Sequence, residues 1–196
     1  KRIQFGGEVA PDLRVIYWQD QQDLFRALFE QMTSDLKEDI KKRGEEPEET
    51  LQQLWRKANE NNSKPSYFQI LSPYRGEFFG IDEINRLCQE RIREHCPSGT
   101  NTLGGVMLFD KVIQVRNRPK SNPIWAWNTT TRKSEAIEIY NGQIGFVWPH
   151  SFDQNKWKSP YFRLEKFCVV FDRRENYRVS YGKGLGRDGY GKWIHD

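Results

Sequence analysis

The hydrophobic period of this chain changes at Pro97-Ser98-Gly99-Thr100-Asn101. Before that point apolar residues recur every three or four positions, and after it they come in short runs separated by turn residues. One kind of element cannot serve both patterns, so the sequence predicts an α+β chain with an α/β segment at 1–97 and a small β-barrel at 98–196. In the first part Leu13 to Trp18 reads as a buried strand leading to Asp20, a helix N-cap. Leu24, Phe25, Leu28, Phe29, Met32, Leu36 and Ile40 then mark one helix face reaching about Lys42, ended by Gly44. Pro47, Glu48 and Glu49 suit the opening of a second helix carrying Leu51, Leu54, Trp55 and Ala58, with Asn61-Asn62-Ser63 closing it. Tyr67 to Leu71 reads as another strand, Ser72 to Gly76 as a turn, and Ile81, Ile84, Leu87, Cys88 and Ile92 as a third helix. That order leaves room for a parallel strand pair.

Strands are expected in the second part near Val106 to Val115, Ala136 to Tyr140, Gln143 to Trp148, Leu164 to Phe171 and Tyr177 to Tyr181. Between Arg118 and Glu135 lies a long polar connection holding Trp125 and Trp127. Two phrases stand out. In the run from Phe109 to Asn117, Val112 and Val115 are apolar while Lys111, Gln114 and Arg116 are polar, which suggests a half-buried strand with a cationic face. In the run from Ile139 to Val147, Asn141-Gly142 suits a type I′ turn between two short strands.

The second part carries an excess of basic groups that suits contact with phosphates and equally suits a plain solvated surface. Residues 1–96 carry 15 basic and 18 acidic side chains, whereas residues 97–196 carry 16 and 9. Charged residues make up 30% of the chain and aromatics 14%, a composition that excludes low-complexity disorder. Cys88, Cys96 and Cys168 are odd in number and lack C-x-x-C spacing, so neither a disulfide framework nor a zinc knuckle is indicated and a reducing cytoplasm is expected. No apolar run reaches the ~20 residues of a membrane span, so no membrane association is expected. Gly186 to Lys192 fits the first seven positions of a P-loop, but Trp193 stands where Ser or Thr should hold magnesium, so a basic glycine-rich tail is the better reading. His95, His150 and His195 are scattered, and the acidic pairs Glu45-Glu46 and Glu48-Glu49 suit capping and solvation. No catalytic group and no metal site is expected.

Three ordered matches carry a family resemblance. Leu71-Ser72-Pro73 with Gly76 is followed by Gly80-Ile81, Ile84-Asn85 and Leu87-Cys88-Gln89, then by Asp110-Lys111-Val112 with Gln114, Arg116 and Asn117, then by Tyr140-Asn141-Gly142 with Ile144-Gly145. The chain here resembles superfamily 1 DNA helicases similar to the alpha subunit of exonuclease V. The resemblance covers about residues 67–147. It implies part of the second RecA-like motor domain followed by an SH3-like insertion, the 2B subdomain, which contacts single-stranded DNA. Phe109 replaces the usual glycine, Gln143 replaces the usual acidic residue after Asn-Gly, and the 118–135 connection is long for the family.

The expected function is accordingly a DNA-binding part of an ATP-dependent helicase, contacting single-stranded DNA during translocation and unwinding in DNA repair. Lys111, Gln114, Arg116, Asn117 and Asn141 are the candidate nucleic-acid contacts, and Arg75 a candidate phosphate-facing cation. ATP and magnesium belong to the parent protein. The family's P-loop, acidic metal-binding motif and two late motifs are not in this sequence, so it is expected to be a fragment that does not hydrolyse ATP alone. Expected partners are single-stranded DNA, the remaining domains of the parent helicase and repair-complex subunits. The alternative is an SH3-like interaction module whose tryptophans hold a peptide or partner subunit.

Overall fold

The computed structural model describes residues 6–10, 13–60, 69–93, 102–150 and 164–182. The described residues of Lys1–Ala58 and Leu71–Arg91 form one compact unit, and those of Asn59–Ile70 and Ile92–Asp196 form another. The fold is mixed α and β. The readings placed on Asn61-Asn62-Ser63, on His95, Cys96 and His195, on Pro97 to Asn101 and on the glycine-rich tail lie outside the described residues.

The first unit is mainly helical. Helix α1 spans Gln21–Lys42 and buries Met32, Leu36 and Ile40, spaced so that one stripe faces inward. Asp20 caps it by accepting from the Asp23 amide at 2.8 Å, while the Asp23 carboxylate accepts from the Gln19 amide at 3.2 Å. At the other end Gly44, at φ 76°, donates to Lys41 O, and Glu45 donates back to Ile40 O, the paired bonds of a Schellman stop. Helix α2, Leu51–Glu60, starts later than Pro47 because Thr50 and Gln53 form a capping box, with the Thr50 hydroxyl donating to the Gln53 side chain at 2.7 Å. It buries Leu54, Trp55 and Ala58. Helix α3, Ile81–Arg93, places the Arg91 guanidinium 5.4 Å from the centre of the Phe29 ring on α1.

The strands expected here differ. Gly7–Ala10 (β1) and Leu13–Val15 (β2) form an antiparallel hairpin, and Leu13, Ile16, Tyr17 and Trp18 are exposed. Residues 69–71 are not a strand, and Leu71 is 85% exposed. No parallel strand pair occurs among the described residues of this unit. An apolar run alone does not distinguish a buried strand from a segment whose side chains stay in solvent.

The first strands of the second unit form a short hairpin, Thr102–Leu103 (β3) and Val106–Met107 (β4). Its turn is Gly104-Gly105, with φ 59° and 80°, the pair of positive values that a type I′ turn requires. Six further strands make one antiparallel sheet: Lys111–Ile113 (β5), Ile124–Asn128 (β6), Lys133–Ile137 (β7), Ile144–Pro149 (β8), Lys166–Phe171 (β9) and Tyr177–Gly182 (β10), in the order β5-β8-β9-β10-β6-β7. Successive cross-strand partners Val147, Val169, Val179 and Ala126 are all buried and define the inner face. The sheet curls without closing its ladder, yet an isolated antiparallel bridge, Arg118↔Ile139, joins the segments that follow its two outermost strands, β5 and β7.

The connection from Arg118 to Glu135 is therefore not a long loop. It contains β6, which forms a hairpin with β7 around Thr129 to Arg132. Ala126 and Asn128 point inward, while Trp125 and Trp127 point outward. A strand with its small residues inside and its largest outside inverts the pattern that identifies half-buried strands.

Candidate nucleic-acid interface

Both phrases converge on one edge of the sheet. Lys111↔Phe146, Val112↔Gly145 and Ile113↔Ile144 pair in register. The contact then continues beyond the ladder: the Gln114 amide donates to Gln143 O at 2.8 Å, the Gly142 amide to Gln114 O at 2.8 Å, and the Asn141 amide to Asn117 Oδ1 at 2.8 Å. Asn117 and Asn141, 24 residues apart in sequence, are both exposed at this junction, with Arg116 beside them.

The turn itself differs from the expected type I′. Only Gly142 has positive φ, 88°, and the Gln143 amide closes the turn on Tyr140 O at 3.2 Å, a pattern of type II. The flanking residues do not pair with each other, since Ile139 bridges Arg118 and Ile144 pairs with Ile113. The turn amide is drawn to Gln114 O instead, which docks the second phrase onto the first.

The cationic face is also narrower than expected. Strand alternation puts Val112 and Gln114 on one side and Ile113 and Val115, both exposed, on the other. Gln114 is 5% exposed, and its amide is spent internally: Nε2 donates to Arg116 O at 2.7 Å and Oε1 accepts from the Tyr181 hydroxyl at 3.3 Å. It fixes the loop that presents Arg116 and has no exposed amide to offer a ligand. Lys111 is half-buried, and burial pulls its ammonium down to a pKa of about 8. Arg75 lies in the other unit, 87% exposed, with Nε 3.3 Å from Asp82 Oδ2.

Two positions with unusual residues keep a simple geometric role. Phe109 takes φ 73°, a left-handed conformation that favours glycine, while its ring is buried 5.4 Å from that of Trp148. Gln143 Oε1 accepts from the Tyr140 amide at 2.7 Å, a bond that a carboxylate at this position would make as well. Gly145 is fixed by packing, because a Cβ there would stand 2.4 Å from Val169 Cγ1. Gly80, in the first matched block, is held as tightly, since a Cβ would lie 1.7 Å from Gly76 O.

Sequence reasoning left out several groups near this edge. Arg118 is half-buried in the bridge to Ile139. The Tyr140 hydroxyl donates to Glu138, which raises its pKa, while the nearby Arg174 opposes the shift. Spacing along the chain gives no signal for Arg174, which lies between β9 and β10 next to Asp172, whose amide bonds Ile144 O at 2.9 Å. Among the described residues there is no group of three or more His, Cys, Asp or Glu placed to hold a metal ion, and no helix is long and apolar enough to cross a membrane.

Comparison of the chain with protein-family models, with curated proteins and with solved structures gives no match.

Proposed function

We propose that this chain is a single-stranded DNA-binding part of a superfamily 1 helicase resembling the alpha subunit of exonuclease V, gripping the strand while a motor elsewhere in the parent protein uses ATP and magnesium. The observation that carries this reading is the junction of the two phrases, where the bond from the Asn141 amide to Asn117 sets exposed Arg116 beside two exposed amide side chains. Support also comes from the two departures from the family pattern. Phe109 keeps the backbone conformation that a glycine would take, and Gln143 keeps the acceptor that an acidic residue would supply. A curled six-stranded sheet whose outer segments meet at Arg118↔Ile139 suits an SH3-like insertion.

In this reading Arg116 contacts phosphate, with Lys111 adding charge from its half-buried position, and Asn117 and Asn141 hydrogen-bond to the strand. The phosphate contacts release counterions, so affinity falls steeply with salt. The test is titration of the purified chain with a fluorescent single-stranded oligonucleotide at several salt concentrations. Binding at low salt is expected, with Arg116→Ala weakening it and lowering the salt slope by about one. Undetectable binding at low salt, or affinity untouched by combining Lys111→Ala with Arg116→Ala, refutes the assignment. The same preparation should show no DNA-stimulated ATP hydrolysis above background.

A further inference from the structure

The outer face of the sheet is covered in one half and open in the other. Over β8 it is roofed by Phe109, whose ring lies 6.1 Å from Phe146 and 5.4 Å from Trp148. Over β6 no described residue forms such a roof: Trp125 is 67% exposed and Trp127 48% exposed. Neither indole makes a ring contact with a described residue. Their neighbours on β7, Ala136 and Ser134, are too small to screen them.

The charges on this face are of one sign. Following alternation and register, the charged strand residues directed outward are Lys111, Lys166 and Arg178, and none is acidic. Arg178 opposes Trp127 directly. Its guanidinium Nη1 donates to Glu175 O at 2.7 Å and has no carboxylate partner among the described residues. Partial burial also disfavours its charge, yet an arginine stays protonated, so an incoming anion would restore what desolvation took away. Side chains at i and i+2 of a strand stand on the same face about 7 Å apart. Two open indoles on one face, beside an uncompensated cation, offer flat surfaces to the bases of an unpaired strand next to a site for its phosphate.

We propose that Trp125 and Trp127 form a base-stacking platform for single-stranded nucleic acid, with Arg178 positioned for its backbone. This rests on the strand-binding reading above and adds a second contact surface to it. The platform leads toward the first: Trp125 pairs with Ala136, and three residues on, about 10 Å along the chain, Ile139 bridges Arg118, two residues from Arg116. A duplex, with its bases stacked inside, offers nothing to such a surface.

The experiment measures binding of the full chain to a 12-nucleotide oligothymidylate by anisotropy, with folding of each variant checked by circular dichroism. An oligonucleotide of the same length with abasic sites serves as a second probe. Trp125→Ala and Trp127→Ala should each weaken oligothymidylate binding about tenfold with the salt slope unchanged, since a stack releases no counterion. They should leave abasic binding unaltered, and the Phe variants should recover most of the loss. If the wild type and Arg116→Ala behave as expected of strand binding while folded Trp variants bind oligothymidylate like wild type, the platform is refuted and the strand-binding reading survives. If the wild type binds no oligonucleotide, the strand-binding reading fails and the platform with it. A loss confined to binding of a proline-rich peptide, with oligonucleotide affinity untouched, also overturns the platform.

Discussion

Phe109 carries two opposed demands in one residue. Its ring is buried among Phe146 and Trp148, while its backbone sits at φ 73°, which costs a bulky residue about 1–2 kcal/mol. Removing the ring should cost about 3–5 kcal/mol, so both small replacements destabilise. Their order is the informative part: Phe109→Gly should be more stable than Phe109→Ala by about 1 kcal/mol, the reverse of the usual ranking, in chemical denaturation. At Gly145 the demand is for absence of a side chain, and Gly145→Ala should cost about 1–3 kcal/mol as Val169 and Phe171 are forced aside. Lys111 sets a pH dependence. With its pKa near 8 the ammonium is mostly charged at pH 7 and mostly neutral at pH 9, so affinity for an oligonucleotide should fall across that window. Lys111→Arg should flatten the profile, because a guanidinium does not titrate there. The sequence made Lys111, Arg116 and Asn117 visible as polar residues near a strand. It could not show that Gln114 turns inward, since that depends on Tyr181 arriving from 67 residues away.

Among the elements, those with strong periodicity and clear end signals were legible. Helix α1 was framed by Asp20 and Gly44, and both act at its ends as capping chemistry requires. Asp20→Ala should therefore lower stability by about 1 kcal/mol, read from the thermal midpoint. Strands β8, β9 and β10 were visible as runs of β-branched and aromatic residues. Strand β6 was not, because Trp-Ala-Trp places its bulk toward solvent and its smallest residue in the core, and no scale of hydrophobicity rewards that choice. The β6–β7 turn holds another hidden device. Asn128, buried, donates to both oxygens of Glu135 at 3.1 Å and accepts from the amides of Thr130 and Thr131, and the Tyr177 hydroxyl donates to Glu135 at 2.8 Å. Hydrogen bonds from Thr131, then Tyr177 and Asn128, hold the Glu135 carboxyl below the usual range. A lowered pKa in the folded state means that this stabilisation is fully present above the unfolded value, about 4.3, and fades as pH falls through the folded one. The protection of the Thr130 and Thr131 amides, measured relative to intrinsic exchange at each pH, should fall on acidification below pH 4, and Glu135→Gln should remove that acid dependence.

Over the whole chain, the division into two units assigns the candidate contacts to one of them. Lys111, Arg116, Asn117 and Asn141 all belong to the second, and Arg75 to the first, where it faces Asp82. Arg75→Ala should accordingly leave oligonucleotide affinity within about twofold of wild type, while Arg116→Ala does not; equal losses from the two would move the interface. The change of period at residues 97–101 could not reveal that the described residues of the first unit form an antiparallel hairpin in place of a parallel pair. Pairing partners are chosen by tertiary contact, which local pattern does not encode. The bridge between Arg118 and Ile139 bears on a different problem. A sheet that ends in long, flat, bare margins invites further strands to add on and grow into aggregates. Here β5 is only three residues long, β7 carries Lys133 and Glu135, and the chain beyond each is already engaged with the other, so the sheet can be displayed without recruiting copies of itself.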